Sequence, residues 1–92
     1  MSKNLEGADL SYANLTNADL EEARLTDANL TGASLAFANL SLATLTNADF
    51  SNADVIGAQV IATIGTPSAL PVGWKVEHGN LVCEDSDRDD RD

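Results

Sequence analysis

The chain is poor in the residues that build catalytic and metal sites. It has one histidine, His78, and one cysteine, Cys83, in 92 residues. A lone cysteine excludes a disulfide within the chain and fits a reducing compartment. One histidine and one cysteine leave a zinc site short of its usual nitrogen and sulfur ligands. His78 stands beside Gly79 and reads as a turn residue, and a Cys83–His78 nucleophile pair would place its members on different rungs of a hairpin. No catalytic, cofactor-binding or metal-ligating residue is expected, and the protein is expected not to be an enzyme. Basic residues are also scarce: five Lys and Arg face fifteen Asp and Glu, a net charge of −10. Phosphate backbones demand a positive surface, so direct nucleic-acid binding is excluded. No stretch approaches the ~20 apolar residues of a membrane span, and no apolar run with basic residues before it opens the chain. A cytoplasmic protein without a cofactor or membrane partner is the expectation.

What the chain does have is a period of five. Leu5, Leu10, Leu15, Leu20, Leu25, Leu30, Leu35, Leu40, Leu45, Phe50, Val55 and Val60 recur in unbroken register. An alanine stands two residues before each centre from Leu10 onward, and Asp or Asn mostly lies between. Steps of five spiral around an α-helix and alternate faces on a straight strand, so neither element buries the series. A chain that bends after each short extended piece does bury it. Alanine and leucine two apart share a face, and the next three residues turn a corner. Four corners close a square, so one coil takes twenty residues and coils stack at about 4.8 Å. Gly7, Asn17, Asp27, Gly32, Asn47, Asn52 and Gly57 occupy corners and accept turn conformations cheaply. The Ser and Thr after most centres suit an exposed β surface.

Units such as Ala8-Asp9-Leu10, Ala13-Asn14-Leu15, Ala18-Asp19-Leu20, Ala28-Asn29-Leu30, Ala38-Asn39-Leu40 and Ala48-Asp49-Phe50 resemble the pentapeptide repeat family, over residues 4–62. The resemblance implies an all-β fold, a right-handed quadrilateral parallel β-helix. At this length the solenoid has about three coils.

Past Val60 the register would put Thr63 in the alanine slot and Gly65 at the centre, so the repeat is expected to end there. Gly65, Pro67, Pro71 and Gly73 give residues 63–73 a loop composition. Trp74 to Cys83 reads as a hairpin about a two-residue His78-Gly79 turn, with Val76 opposite Leu81 and Trp74 opposite Cys83. The apolar face with Trp74, Val76 and Leu81 is expected to cap the last coil, with Trp74 buried, so residues 63–83 form a loop and capping hairpin. Residues 84–92, with six acids and two arginines, read as a disordered acidic tail. Their Asp85-Ser86-Asp87 start lacks the glycine and distal glutamate of a calcium loop.

Two surfaces stand out for binding. Phe37, Leu42, Ile56 and Ile61 break the polar rule of the outward positions and form one apolar strip. Either it docks a partner or, as expected, Ile64, Leu70, Val72 and Trp74 fold back over it. The N-terminal end beside Leu5 and Leu10 lacks a cap and is the expected site of self-association, a homodimer by coil stacking. The composition fits a non-enzymatic scaffold that binds a protein partner. The rival reading is an acidic DNA mimic: some pentapeptide repeat proteins resemble B-form DNA in size and charge and protect type II topoisomerases.

Overall fold

The computed structural model describes residues 3–83, so the expectation for the acidic tail, residues 84–92, falls outside the described residues. The fold is assembled from corners. From Leu5 to Val55, the carbonyl of each central residue accepts a hydrogen bond from the N–H three residues on, as from Ala8 to Leu5 and from Ala33 to Leu30, both at 3.0 Å. The residue two after each centre, from Gly7 to Ala62, has φ between 56° and 70°. A left-handed residue at the third place of a four-residue turn is the type II arrangement.

Where Asp or Asn stands before the centre, it closes the same corner from outside. Its Oδ1 accepts the N–H two residues on at about 3 Å: Ser11 to Asp9, Thr16 to Asn14, Glu21 to Asp19, Thr31 to Asn29, Ser41 to Asn39, Ser51 to Asp49 and Ile56 to Asp54. Only a short side chain with a terminal oxygen reaches this donor.

Between corners, each side of the coil contributes one bridging residue, too little for a named strand. Parallel bridges join residues twenty apart in four columns: Asn4–Arg24–Thr44–Ile64, Asp9–Asn29–Asp49–Ala69, Asn14–Ser34–Asp54 and Asp19–Asn39–Gln59. The columns are the four faces. Inside them, Leu25, Leu30, Leu35, Leu40 and Leu45 are fully buried, each flanked by a buried alanine, and among the described residues no polar side chain is buried. Burying each leucine contributes roughly 1.5–3 kcal/mol.

The ladder does not stop where the side-chain pattern does. Leu45 N–H donates to Ile64 O at 2.7 Å, Asn47 to Thr66 at 2.9 Å and Phe50 to Ala69 at 2.9 Å, the offsets of the coils below. Leu70 then packs against the core. The expected end of the repeat at residue 62 is thus passed by the backbone. The exposed edge of the coil below pairs with any backbone in reach, and needs no alanine or leucine to do so.

The two named strands follow, β1 (Trp74–Glu77) and β2 (Asn80–Cys83), antiparallel, with Trp74 opposite Cys83 and Val76 opposite Leu81. His78 and Gly79, with φ of 54° and 79°, form the two-residue turn with both φ positive that matches strand twist. The hairpin meets the coil edge through its backbone. Leu81 N–H donates to Val60 O at 2.9 Å, Thr63 N–H to Gly79 O at 2.8 Å, and Ala62 N–H to Asn80 Oδ1 at 3.0 Å. A Cβ at Gly79 would stand 2.9 Å from Thr63 O and 3.0 Å from Thr63 N, so only glycine permits this approach. Trp74 and Leu81 pack against the core but stay half-buried; Trp74 is not enclosed as expected, because it meets the core from one side only.

Candidate interaction surface

Twelve consecutive corners in left-handed conformation include five that are neither Gly, Asn nor Asp: Tyr12, Glu22, Phe37, Leu42 and Ala62. Such a residue costs about 1–2 kcal/mol for its Cβ contact. Two of the large ones have a compensation in the next coil. A Cβ at Gly57 would lie 2.5 Å from Phe37 Cδ1, and one at Gly32 would lie 2.5 Å from Tyr12 Cε1. Each ring therefore rests on the bare backbone of the glycine twenty residues on.

The apolar corners cluster on one flank. Phe37 and Ile56 share a corner, joined by Phe37 N–H to Ile56 O at 2.9 Å, and Leu42 and Ile61 share the next, joined by Leu42 N–H to Ile61 O at 2.9 Å. Between the two corners runs the column Asp19–Asn39–Gln59. In the coils that carry the apolar corners its members are both neutral amides. Ile64 stands on the adjoining column. All five are exposed: Phe37 61%, Leu42 44%, Ile56 57%, Ile61 53% and Ile64 60%.

The expected cover over this strip is not there. Leu70 and Trp74 turn to the core, while Ile64 and Val72 face solvent. The reason is the continued ladder: residues 64–69 are held above the coil below them and cannot also lie against its flank. Of the surface residues expected from sequence, Phe37, Leu42, Ile56 and Ile61 are brought together, and Trp74 is placed away from them against the core. Ile64 was assigned to the cover and instead extends the strip. Keeping the register for one more unit would have found it, since it stands twenty residues after Thr44. Tyr12 also escaped notice and is highly exposed.

Leu5 and Leu10 lie in the first coil, where they and Leu15 are only half-buried. Among the described residues, the N–H groups of Asp9, Asn14 and Asp19 lack the partner that Asn29, Ser34 and Asn39 find in the coil before them.

Charge is distributed unevenly. Between Asp27 and Asp49 no residue is charged, and between Asp54 and Lys75 none is. The first coil carries Glu6, Asp9, Asp19, Glu21 and Glu22, with Arg24 against Glu6 at 2.6 Å. That pair is exposed and contributes little. Asp9 and Asp49 are held below the ordinary carboxylate range by the hydroxyl and then the N–H of Ser11 and Ser51; the Thr31 hydroxyl adds a smaller effect at Asp49. Both shifts come chiefly from the serine hydroxyl, which donates at 2.6 Å to the same Oδ1 that closes the turn. Among the described residues no group of His, Cys, Asp and Glu is spaced to hold a metal ion, and no helix is long and apolar enough to cross a membrane.

Comparison with known proteins gives a consistent picture. The family described as pentapeptide repeats, in 8 copies, matches residues 3–27 and 23–59. No curated protein matches the chain. Among solved structures, the chain is similar to the pentapeptide repeat protein Rfr23 from the cyanobacterium Cyanothece 51142, at 28% identity over 76% of this chain and 45% of that one, with a TM-score of 0.41. It is similar to HetL of Nostoc sp. strain PCC 7120, a pentapeptide repeat protein involved in heterocyst differentiation regulation, at 28% identity over 88% of this chain and 43% of that one, with a TM-score of 0.38. A third is a pentapeptide repeat protein from the Arabidopsis thaliana thylakoid lumen, at 30% identity over 73% and 52% of the two chains, with a TM-score of 0.33. The chain spans about half the length of these three structures.

Proposed function

This chain belongs to the pentapeptide repeat family, whose members form right-handed β-helical solenoids and are generally non-catalytic structural repeat proteins, and we propose that it works as a small, non-enzymatic protein-interaction scaffold. One observation carries this reading: an uncharged flank with exposed Phe37, Leu42, Ile56 and Ile61 stands on a frame pinned by hydrogen bonds between successive coils. Exposed apolar side chains in a contiguous patch mark interaction sites. The frame fixes their spacing before a partner arrives, which lowers the ordering cost of binding.

The same reading includes the hairpin as a cap. Leu81 N–H bonds Val60 O, and Trp74 and Leu81 pack against the core, which supports a hairpin that covers the C-terminal end while, among the described residues, nothing lies beyond Leu5 and Leu10. A cytoplasmic setting suits the single Cys83. Coil stacking at the open end is favoured by the half-buried leucines and opposed by Glu6, Asp9, Asp19, Glu21 and Glu22, which a second copy would duplicate. DNA mimicry of a topoisomerase substrate asks for negative charge along the whole length, and the run from residue 28 to 48 has none.

The test is a pull-down from the native host with the immobilised chain and with a double variant, Ile56→Asp with Ile61→Asp, both read by mass spectrometry. Proteins retained by the natural chain and lost from the variant support the reading. Identical sets on both would remove the flank as the binding surface.

A further inference from the structure

We propose that the flank built from Phe37, Ile56, Asn39, Gln59, Leu42 and Ile61 binds the same flank of a second copy, giving a two-fold dimer side by side. The inference rests on the interaction-module reading above and names its occupant.

The first argument is charge. A chain of net charge −10 repels its own kind, and two copies can come close only where neither presents a charge. The flank is such a place: its corners carry Phe37, Leu42, Ile56 and Ile61, its floor Asn39 and Gln59. The other three faces are less suitable. The flank's own column carries one carboxylate, Asp19, in the first coil and away from the apolar corners; the Asp9–Asn29–Asp49 column holds two, the Asn14–Ser34–Asp54 column has Asp54 in the same coil as Ile56, and the Asn4–Arg24–Thr44–Ile64 column pairs Arg24 with Glu6.

The second argument is chemistry at the floor. A carboxylate only accepts hydrogen bonds, so two facing carboxylates conflict. A side-chain amide both donates and accepts, so Asn39 and Gln59 can meet Asn39 and Gln59 of another copy. A two-fold interface brings the same patch to itself and requires this self-complementarity.

The third argument is area. At roughly 200 Å² for a fully exposed residue of this size, the exposures of Phe37, Leu42, Ile56 and Ile61 amount to about 430 Å² of mostly apolar surface. A specific interface buries about 800 Å² on each partner. The apolar corners supply about half of that, and the amide column with its neighbours must supply the rest. A reversible dimer is expected, since an interface of this size without a large apolar centre belongs with transient ones.

The experiment is sedimentation equilibrium of the full chain from low to high micromolar concentration, beside two variants. The natural chain is expected to move from one to two chain masses as concentration rises, and to do so more readily in higher salt, which screens the repulsion between acidic surfaces. Ile56→Asp with Ile61→Asp should weaken the dimer at least tenfold. Val72→Asp, outside the flank, should leave it unchanged. Circular dichroism on each variant shows that the coil persists, and the milder Ile56→Ser with Ile61→Ser serves if the aspartates disturb it. A single-chain mass at every concentration overturns the proposal, as does a dimer indifferent to both flank variants. If the chain stays single while the flank variant still loses proteins in the pull-down, the second copy is wrong and the interaction reading stands.

Discussion

The first coil and the coil above it obey the same five-residue rule and behave as different materials. Leu10 and Leu30 are the same residue in the same slot on the same face. Leu10 is half-buried and Leu30 has no exposed surface. What differs is the neighbour: Leu30 has a coil on both sides and Leu10 on one. In a solenoid the core is made between units, not within them. The outer surfaces diverge as well. The first coil is crowded with charge, while from residue 28 in the second coil to residue 48 in the third there is none. Burial and neutrality rise together from the first coil to residues 28–48, so the region best suited to hold its shape also has a surface open to apolar contact.

The comparison can be broken most directly at the axis. Leu30→Ala should cost about 2–5 kcal/mol, as a core truncation that leaves a cavity. Leu10→Ala should cost about half of that, since water already reaches it. Chemical denaturation measures both, and equal losses would mean that the end coil is as well packed as the middle.

Glycines give the next contrast. A Cβ at Gly79 meets the backbone of Ala62 and Thr63, whereas one at Gly7 meets nothing within 4 Å. Both have positive φ, so Gly7→Ala isolates the conformational cost, about 1 kcal/mol. Gly79→Ala adds the clash and should reach about 2–3 kcal/mol. It should also shift Trp74 emission to the red as the hairpin leaves the coil edge. A red shift from Gly7→Ala would show that the two ends communicate.

Strained corners should respond in the opposite direction. Glu22→Asn in the charged coil and Leu42→Asn in the neutral one each replace an unsuitable residue in the left-handed region. Each should stabilise by about 0.5–1 kcal/mol. A gain at Glu22 alone would point to relief of charge crowding instead of relief of backbone strain.

The smallest effect concerns acid. The carboxyls of Asp9 and Asp49 have pKa values lowered in the folded chain by hydrogen bonds from Ser11 and Ser51. A lowered folded value means stability that is complete above the unfolded value, near pH 4, and lost as pH falls through the folded one. The melting temperature should therefore fall below about pH 4 and hold steady above it. Asp49→Asn, which keeps the accepting oxygen as Asn29 does, should flatten that fall. An unchanged profile would assign the acid sensitivity to other carboxylates.

Much of this molecule was legible because the repeat speaks about backbone geometry. The inward set, the twenty-residue coil and the hairpin register follow from side-chain periodicity and turn chemistry. The Asp or Asn before most centres was visible, but its purpose was not: the Oδ1 bonds show a turn closure that either residue can make. Ile64 and Ala69 were misjudged for a related reason. Their pairing depends on the open edge beneath them, and an edge leaves no trace in the residues that join it. The fate of the strip followed from that error, since a segment tied above the coil cannot also lie along its side. The pairing of Phe37 with Gly57 and of Tyr12 with Gly32 was present at a spacing of twenty residues, though only a ring seated on a bare backbone reveals why.

Those two pairings bear on a hazard that repetition itself creates. A chain of near-identical pentapeptides has many alignments that satisfy the leucine axis, because sliding one coil by a unit puts leucine on leucine again. Hydrophobic pattern alone barely separates the true alignment from its neighbours. Shifted by one unit, the Phe37 ring would fall on Asn52 or Ala62, and the Tyr12 ring on Asp27 or Phe37, none of which leaves bare backbone beneath it. The aromatic and its glycine thus work as index marks on a scale of equal divisions, raising the energy of misaligned states that the core would tolerate.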